Sequence, residues 1–194
     1  IIVCEGGMEM FAGHPTLHKK AFDNWHKGLF DGFVKDRTCI TLEPYRVWEY
    51  YNQKASITQA FDIQMSNKGV RKLEDPKMYL SSIEYAEGKE VVKEVREKST
   101  KQRVIVIQPY GRSANKIGDA LIDPGGRSFR SNDVVKIVKK LQQKYGVVMM
   151  TEHPADFQKM GCPDPVAQPE GAPLRIWGGI INEADVFLGC DSVG

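Results

Sequence analysis

Apolar positions in this chain come in clusters, and the spacing inside each cluster separates strands from helices. The clearest is "RVIVIQP", a continuous apolar run of the kind buried on both faces of a parallel sheet. After a long Gly-rich, basic loop comes "SNDVVKIVKKLQQKYG", whose Val134, Val135, Ile137, Val138 and Leu141 recur at helical steps and form one stripe. Ser131 is placed to cap this helix, Asp133 lies in its first turn, and Gly146 closes it. "VVMM" predicts the next strand, "HPADFQKMGCPDPVAQPEGAP" a Pro-rich loop, "LRIWGGIINEA" a helix and "DVFLGCD" a final strand. Ahead of them all, "GKEVVKEVREKS" reads as a charged amphipathic helix with Glu90–Lys93 and Glu94–Lys98 in supportive order.

The first half is patterned more thinly. Ile1–Cys4 predicts a short buried strand, "MEMFAGHP" a short helix ended by Gly13 and Pro15, and residues 18–36 a loop with short helical pieces. Thr38–Leu42 predicts a second strand, stopped by Glu43 and Pro44. "VWEYYNQKASITQAFDIQM" is the longest helical candidate, with Val47, Tyr50, Tyr51, Ile57, Ala60, Phe61 and Met65 at mostly three- and four-residue steps. The polar stretch "SNKGVRKLEDPKMYLSS" is the best linker, with a boundary near Leu80. Strands alternating with helices predict right-handed βαβ units. The expected fold class is therefore α/β, with two Rossmann-like domains, residues 1–80 and 81–194, each a parallel sheet with flanking helices. The chain opens inside an apolar run and stops at a turn after a strand, so it is expected to be a fragment cut at both ends.

Composition adds bounds. The 194 residues are 41% apolar and 27% charged, ordinary for a folded domain, and a net charge of +2 is too small to point to nucleic acid or a membrane surface. No apolar run approaches the ~20 residues that cross a bilayer, and a cytoplasmic protein is expected. Cys4, Cys39, Cys162 and Cys190 are scattered without a C-x-x-C pair, which predicts free thiols rather than a zinc site or a disulfide framework. His14 and His18 are four apart, yet Pro15 disfavours the helix that would bring them together, so no metal is expected there, nor any other cofactor.

Candidate chemistry follows from the sheet. In open parallel sheets ligands bind beyond the carboxyl ends of the strands, which selects three loops of the second half. "QPYGRSANK" carries Gly111, which lets backbone approach a ligand, and Arg112, Ser113 and Lys116 as donors. "GGRSFRS" brings Gly125, Gly126, Arg127 and Arg130 to a helix start, a natural anion site. "CDSVG" is the third. Each loop alone suits solvated charges and turn glycines, but their convergence suits a diphosphate. Neither a Walker A loop nor a G-x-G-x-x-G fingerprint occurs. In the first half, Glu43, Tyr45, Arg46 and Trp48 follow a strand end, where they either face a cleft between domains or pack at the start of a helix.

In order along the chain, "IIVCEGGMEMFAGHP", "ITLEPYRVWEYY", "VIVIQPYGRS", "RSFRSNDVVKIVKKL" and "INEADVFLGCDSVG" resemble stretches of the heptosyltransferase-like glycosyltransferases, the ADP-heptose:lipopolysaccharide heptosyltransferases and their relatives. The resemblance implies the two-domain GT-B architecture, with an acceptor domain followed by a donor domain. By position Arg127 takes the place of a donor-phosphate Lys and Phe129 that of a Trp, while Asp191, Ser192 and Gly194 match a D-S-G-x-x-H segment that grips the donor sugar and diphosphate. Val193 separates Ser192 from Gly194, and "TEHPAD" replaces the family's Gly-rich turn.

The implied activity is metal-independent transfer of a sugar from a nucleotide-diphosphate donor to the hydroxyl of a glycan or other acceptor. The catalytic base is expected before Ile1, and the fragment by itself is expected to be inactive. The alternatives are a catalytically idle binder of nucleotide sugars or glycans, and another GT-B enzyme such as a nucleotide-sugar epimerase.

Overall fold

The structure, a computed structural model, describes residues 1–111, 113–117, 120–151 and 172–190. The chain forms two compact units, Ile1–Tyr79 and Leu80–Gly194, and its architecture is mixed α/β with parallel sheets and flanking helices.

The second unit is built on strand β3 (Val104–Gln108), whose five residues are all buried. It is the middle strand of a three-stranded parallel sheet, with β6 (Gly146–Met149) on one side and β7 (Val186–Gly189) on the other. Alternation along β3 sends its side chains to two separate cores. Ile107, with Val147 and Met149 of β6, packs under Val134, Val135 and Val138 of helix α4 (Ser131–Gln142). Val104, Val106 and Val148 pack on the other face against Val92 and Val95 of helix α3 (Ser82–Ser99), and Trp177 and Ile180 of helix α5 (Leu174–Glu183). Each fully buried Val or Ile contributes about 1.5–3 kcal/mol, so these two layers hold the unit together.

The expected strands and helices of this half are present, with altered ends. Helix α3 begins ahead of the expected start because Ser81 and Glu84 form a capping box. Ser131 does not cap α4: the N-cap is Arg130, which gives no side-chain bond. Gly146 does not close α4 either, but opens β6, where a Cβ would come within 2.7 Å of Val95. The Gly-rich loop after β3 contains an antiparallel pair, β4 (Asn115–Ile117) and β5 (Ala120–Ile122), which the hydrophobic pattern did not signal.

The first unit departs further from expectation. Strand β1 (Ile2–Cys4) forms, but it is half exposed rather than buried, and it pairs in parallel with β2 (Ala21–Asp23), inside the stretch expected to be loop. Thr38–Leu42 is not a strand: among the described residues it has no partner to complete a ladder, and Ile40 is exposed. The long helical candidate is broken into α1 (Trp48–Tyr51) and α2 (Ile57–Ser66). Gln53 takes a left-handed φ of 58° after α1, and Ser56 restarts the chain through a capping box with Gln59. Only Pro44, Val47 and Ala60 of this unit are buried.

Candidate functional site

The winding of the second sheet reverses at β3. The chain leaves β3 for α4 on one face and reaches β7 from α5 on the other, so the β3–β7 pair is the topological switch point, where open α/β sheets hold ligands. At the carboxyl ends of these strands, Cys190 N–H donates to the Gln108 carbonyl at 2.9 Å and Met150 N–H to that of Ile107 at 2.8 Å. The loop ahead of α4 is drawn to the same rim. Phe129 N–H donates to the Pro109 carbonyl at 2.9 Å, Gly111 N–H to Ser128 Oγ at 3.0 Å, and the Tyr110 hydroxyl to Ser131 Oγ at 2.8 Å. Two of the three loops singled out from the sequence are thus joined at one edge. The third begins at Cys190; Asp191, Ser192 and Gly194 lie outside the described residues, as do Arg112 and Cys162.

An unforeseen residue organises this edge. The Asp123 carboxylate accepts from Ser113 Oγ at 2.6 Å, Ser128 Oγ at 2.6 Å, and the N–H groups of Gly125 and Ser128 at 2.8 Å and Arg127 at 3.2 Å. These bonds, those from the Ser113 and Ser128 hydroxyls foremost, hold its carboxyl well below the usual carboxylate range despite partial desolvation. Gly126, at a φ of 65°, turns the chain so that its own N–H reaches the Asp123 carbonyl at 3.0 Å.

This corrects the sequence reading of the Gly125–Gly126 loop. Its backbone donors are taken by Asp123, those of Gly125, Arg127 and Ser128 by the carboxylate and that of Gly126 by the carbonyl, so an incoming anion would meet side chains there. Gly111 is buried with its N–H on Ser128, and Ser113 faces Asp123. Arg127 and Arg130 are both exposed, and neither side chain makes an ion pair or hydrogen bond among the described residues. With the exposed Lys116 they give this stretch its positive charge, and Arg130 lies at the uncapped start of α4, where the helix dipole adds to it.

Sequence reasoning also passed over Gln108. It is the one polar residue in the buried β3 strand, 7% exposed, and its side-chain amide has no hydrogen-bond partner among the described residues. Its place at the end of an apolar run could have flagged it. A hollow of about 470 Å³ lined by Arg103, Ile105, Leu141, Tyr145, Asp185 and Val186 lies at the opposite end of the sheet, where α4 leaves the flank of β7 uncovered, and has no part in this rim.

In the first unit Glu43, Tyr45 and Arg46 are exposed on a short 3-10 turn ahead of α1. The backbone of Glu43 is pinned by Gln64, whose side chain bonds both its N–H, at 2.7 Å, and its carbonyl, at 3.1 Å. Trp48 does not fill a core: it is 60% exposed, with Lys54 Nζ 4.2 Å from its ring centroid. His14 and His18 each turn Nδ1 to backbone, His14 to the N–H groups of Thr16 and Leu17 and His18 to that of Gly13. Among the described residues no His, Cys, Asp and Glu side chains cluster to hold a metal ion, and no helix is long and apolar enough to cross a membrane.

No protein-family model, curated protein or solved structure matches this chain.

Proposed function

We propose that the second unit is the donor-binding domain of a GT-B-type glycosyltransferase, and that its carboxyl rim receives the diphosphate of a nucleotide sugar. The observation that carries this reading is the reversal of winding at β3–β7, with the guanidinium groups of Arg127 and Arg130, unpaired among the described residues, on the loop hydrogen-bonded to that rim. The sequence resemblance supplies the reaction class: an acceptor hydroxyl loses its proton to a base while cationic groups stabilise the departing diphosphate. Arg127, Arg130 and Arg112 are assigned to the diphosphate, Lys116 and Ser113 to the same loop, and Asp191, Ser192 and Gly194 to the sugar. Preorganised donors of this kind are worth about 3 kcal/mol each in the transition state. Glu43, Tyr45 and Arg46 are assigned to the acceptor.

A thermal-shift titration with UDP-glucose, GDP-mannose and ADP-glucose tests the donor site. At least one should raise Tm, and Arg127→Ala should lower the affinity for it by at least ten-fold. An undiminished response in the variant removes Arg127 from the site, and silence across donors removes the reading. A catalytically idle nucleotide-sugar binder is the second reading. It is favoured by Asp123, which occupies backbone donors that a departing diphosphate could otherwise use. Turnover of a bound donor with acceptor present separates the two.

A further inference from the structure

The hollow of about 470 Å³ lies at the amino ends of β3 and β7, away from the rim, and the proposed sugar transfer makes no use of it. Its apolar lining is Ile105, on the face of β3 that α4 covers, Val186 beside it on β7, and Leu141 from the last turn of α4. Helix α4 packs over β3 and β6 and leaves Val186 51% exposed. Backbone bonds fix the walls. Gly146 N–H donates to the Arg103 carbonyl at 2.9 Å, Asp185 N–H to that of Val104 at 3.0 Å, and Tyr145 N–H to that of Leu141 at 2.9 Å. The hollow is therefore preformed, and its volume falls in the range of about 300–1,000 Å³ usual for small-molecule sites.

Arg103, Asp185 and Tyr145 complete the lining, and they differ in what they have left to offer. The Asp185 carboxylate is committed: it accepts from Val104 N–H at 2.8 Å and faces Arg96 Nη2 at 3.5 Å. The side chains of Arg103 and Tyr145 make no hydrogen bond or ion pair among the described residues. Two guanidinium groups thus attend one carboxylate, and the surplus is a planar cationic fork beside an apolar floor. A cationic ligand would meet that surplus charge, and a sugar or a polyphosphate would leave the apolar floor unmatched.

We propose that this hollow is a second binding site, for a small amphipathic carboxylate one or two rings in size. Its apolar body covers Ile105, Leu141 and Val186, and its anionic group pairs with the Arg103 guanidinium, whose fork matches a carboxylate. The Tyr145 hydroxyl supplies a further donor at the same wall. The proposal stands apart from the donor-site reading and does not depend on it.

Equilibrium dialysis of the full chain against naphthoate and its neutral counterpart naphthamide tests it. The wild type should bind naphthoate saturably and about five-fold more tightly than naphthamide, the ratio expected of a solvent-facing ion pair. Arg103→Leu removes an exposed side chain with no bond among the described residues, so it should melt with the wild type and bind the two compounds alike. Val186→Trp fills the hollow from a half-exposed strand position and should exclude both compounds. Inorganic diphosphate, which has no apolar body, should not displace naphthoate. Absence of saturable binding, equal affinity of the wild type for the two compounds, or a preference that survives Arg103→Leu overturns the proposal. So does undiminished binding by folded Val186→Trp, or displacement by diphosphate. If Val186→Trp does not fold, the Arg103→Leu comparison decides alone.

Discussion

Glu84 joins two tasks in one carboxylate. It caps α3 by accepting from Ser81 N–H at 2.6 Å, and it takes both nitrogens of a forked Arg175 contact, Nε at 2.5 Å and Nη2 at 2.7 Å. Both side chains are less than a fifth exposed, which places the pair between surface bridges worth 0–1 kcal/mol and buried pairs whose breakage costs about 3–5 kcal/mol. Glu84→Gln should therefore destabilise the protein by about 1–2 kcal/mol at pH 7. The Arg175 hydrogen bonds lower the Glu84 pKa to about 2, from 4.5 when unperturbed. A depressed carboxyl stabilises the fold above its unfolded pKa and ceases to do so as pH falls through 4 towards 2. Urea denaturation of both proteins at pH 7 and pH 3 checks this: the gap should be full at the first and shrink at the second. A gap of equal size at both would contradict it.

Elements meet most tightly where α3 crosses α5. A Cβ on Gly88 would lie 2.2 Å from the Gly179 carbonyl carbon, and one on Gly179 would lie 2.3 Å from the Glu84 carbonyl oxygen. The obstacles are backbone atoms that no rotamer change can move aside. Gly88→Ala gains about 1 kcal/mol of helix propensity. Overpacking of about 3 kcal/mol or more outweighs it, so a net loss of about 2 kcal/mol is expected in chemical denaturation, with no loss of helix signal per folded molecule.

The crossing also shows what one sequence can reveal. Continuous apolar β3 and the stripe of α4 were legible because burial and period leave a local trace. The S-x-x-E box at Ser81 and the S-x-x-Q box at Ser56 are equally local, and the second marks the break between α1 and α2 that the hydrophobic period alone runs through. The Gly88–Gly179 approach and the Glu84–Arg175 pair, 91 residues apart, leave no local mark at all. At the rim, Arg127 was legible as a charge beside a glycine pair. That Asp123 would fill the neighbouring N–H groups depends on the fold of the 111–130 loop, which composition does not convey.

At the scale of the molecule the two units are unequally built. The second has two packed layers about a fully buried strand, whereas the first leaves Trp25, Phe30, Ile40, Trp48 and Tyr51 exposed over a minimal interior. Backbone opening follows local burial, so limited proteolysis of the whole chain should cut first within residues 1–79, and the β3–α4–β6 region should exchange its amide hydrogens last. Protection spread evenly over both units would refute this.

The ion pair between Glu84 and Arg175 has a mechanical corollary. Glu84 lies in the turn just after Leu80, where the chain passes into its second unit, and Arg175 in the opening turn of the helix that leads down to β7. The guanidinium–carboxylate fork therefore ties the first turn of α3 to the first turn of α5, and the close approach of the Gly88 and Gly179 backbones fastens the same two helices a turn further along.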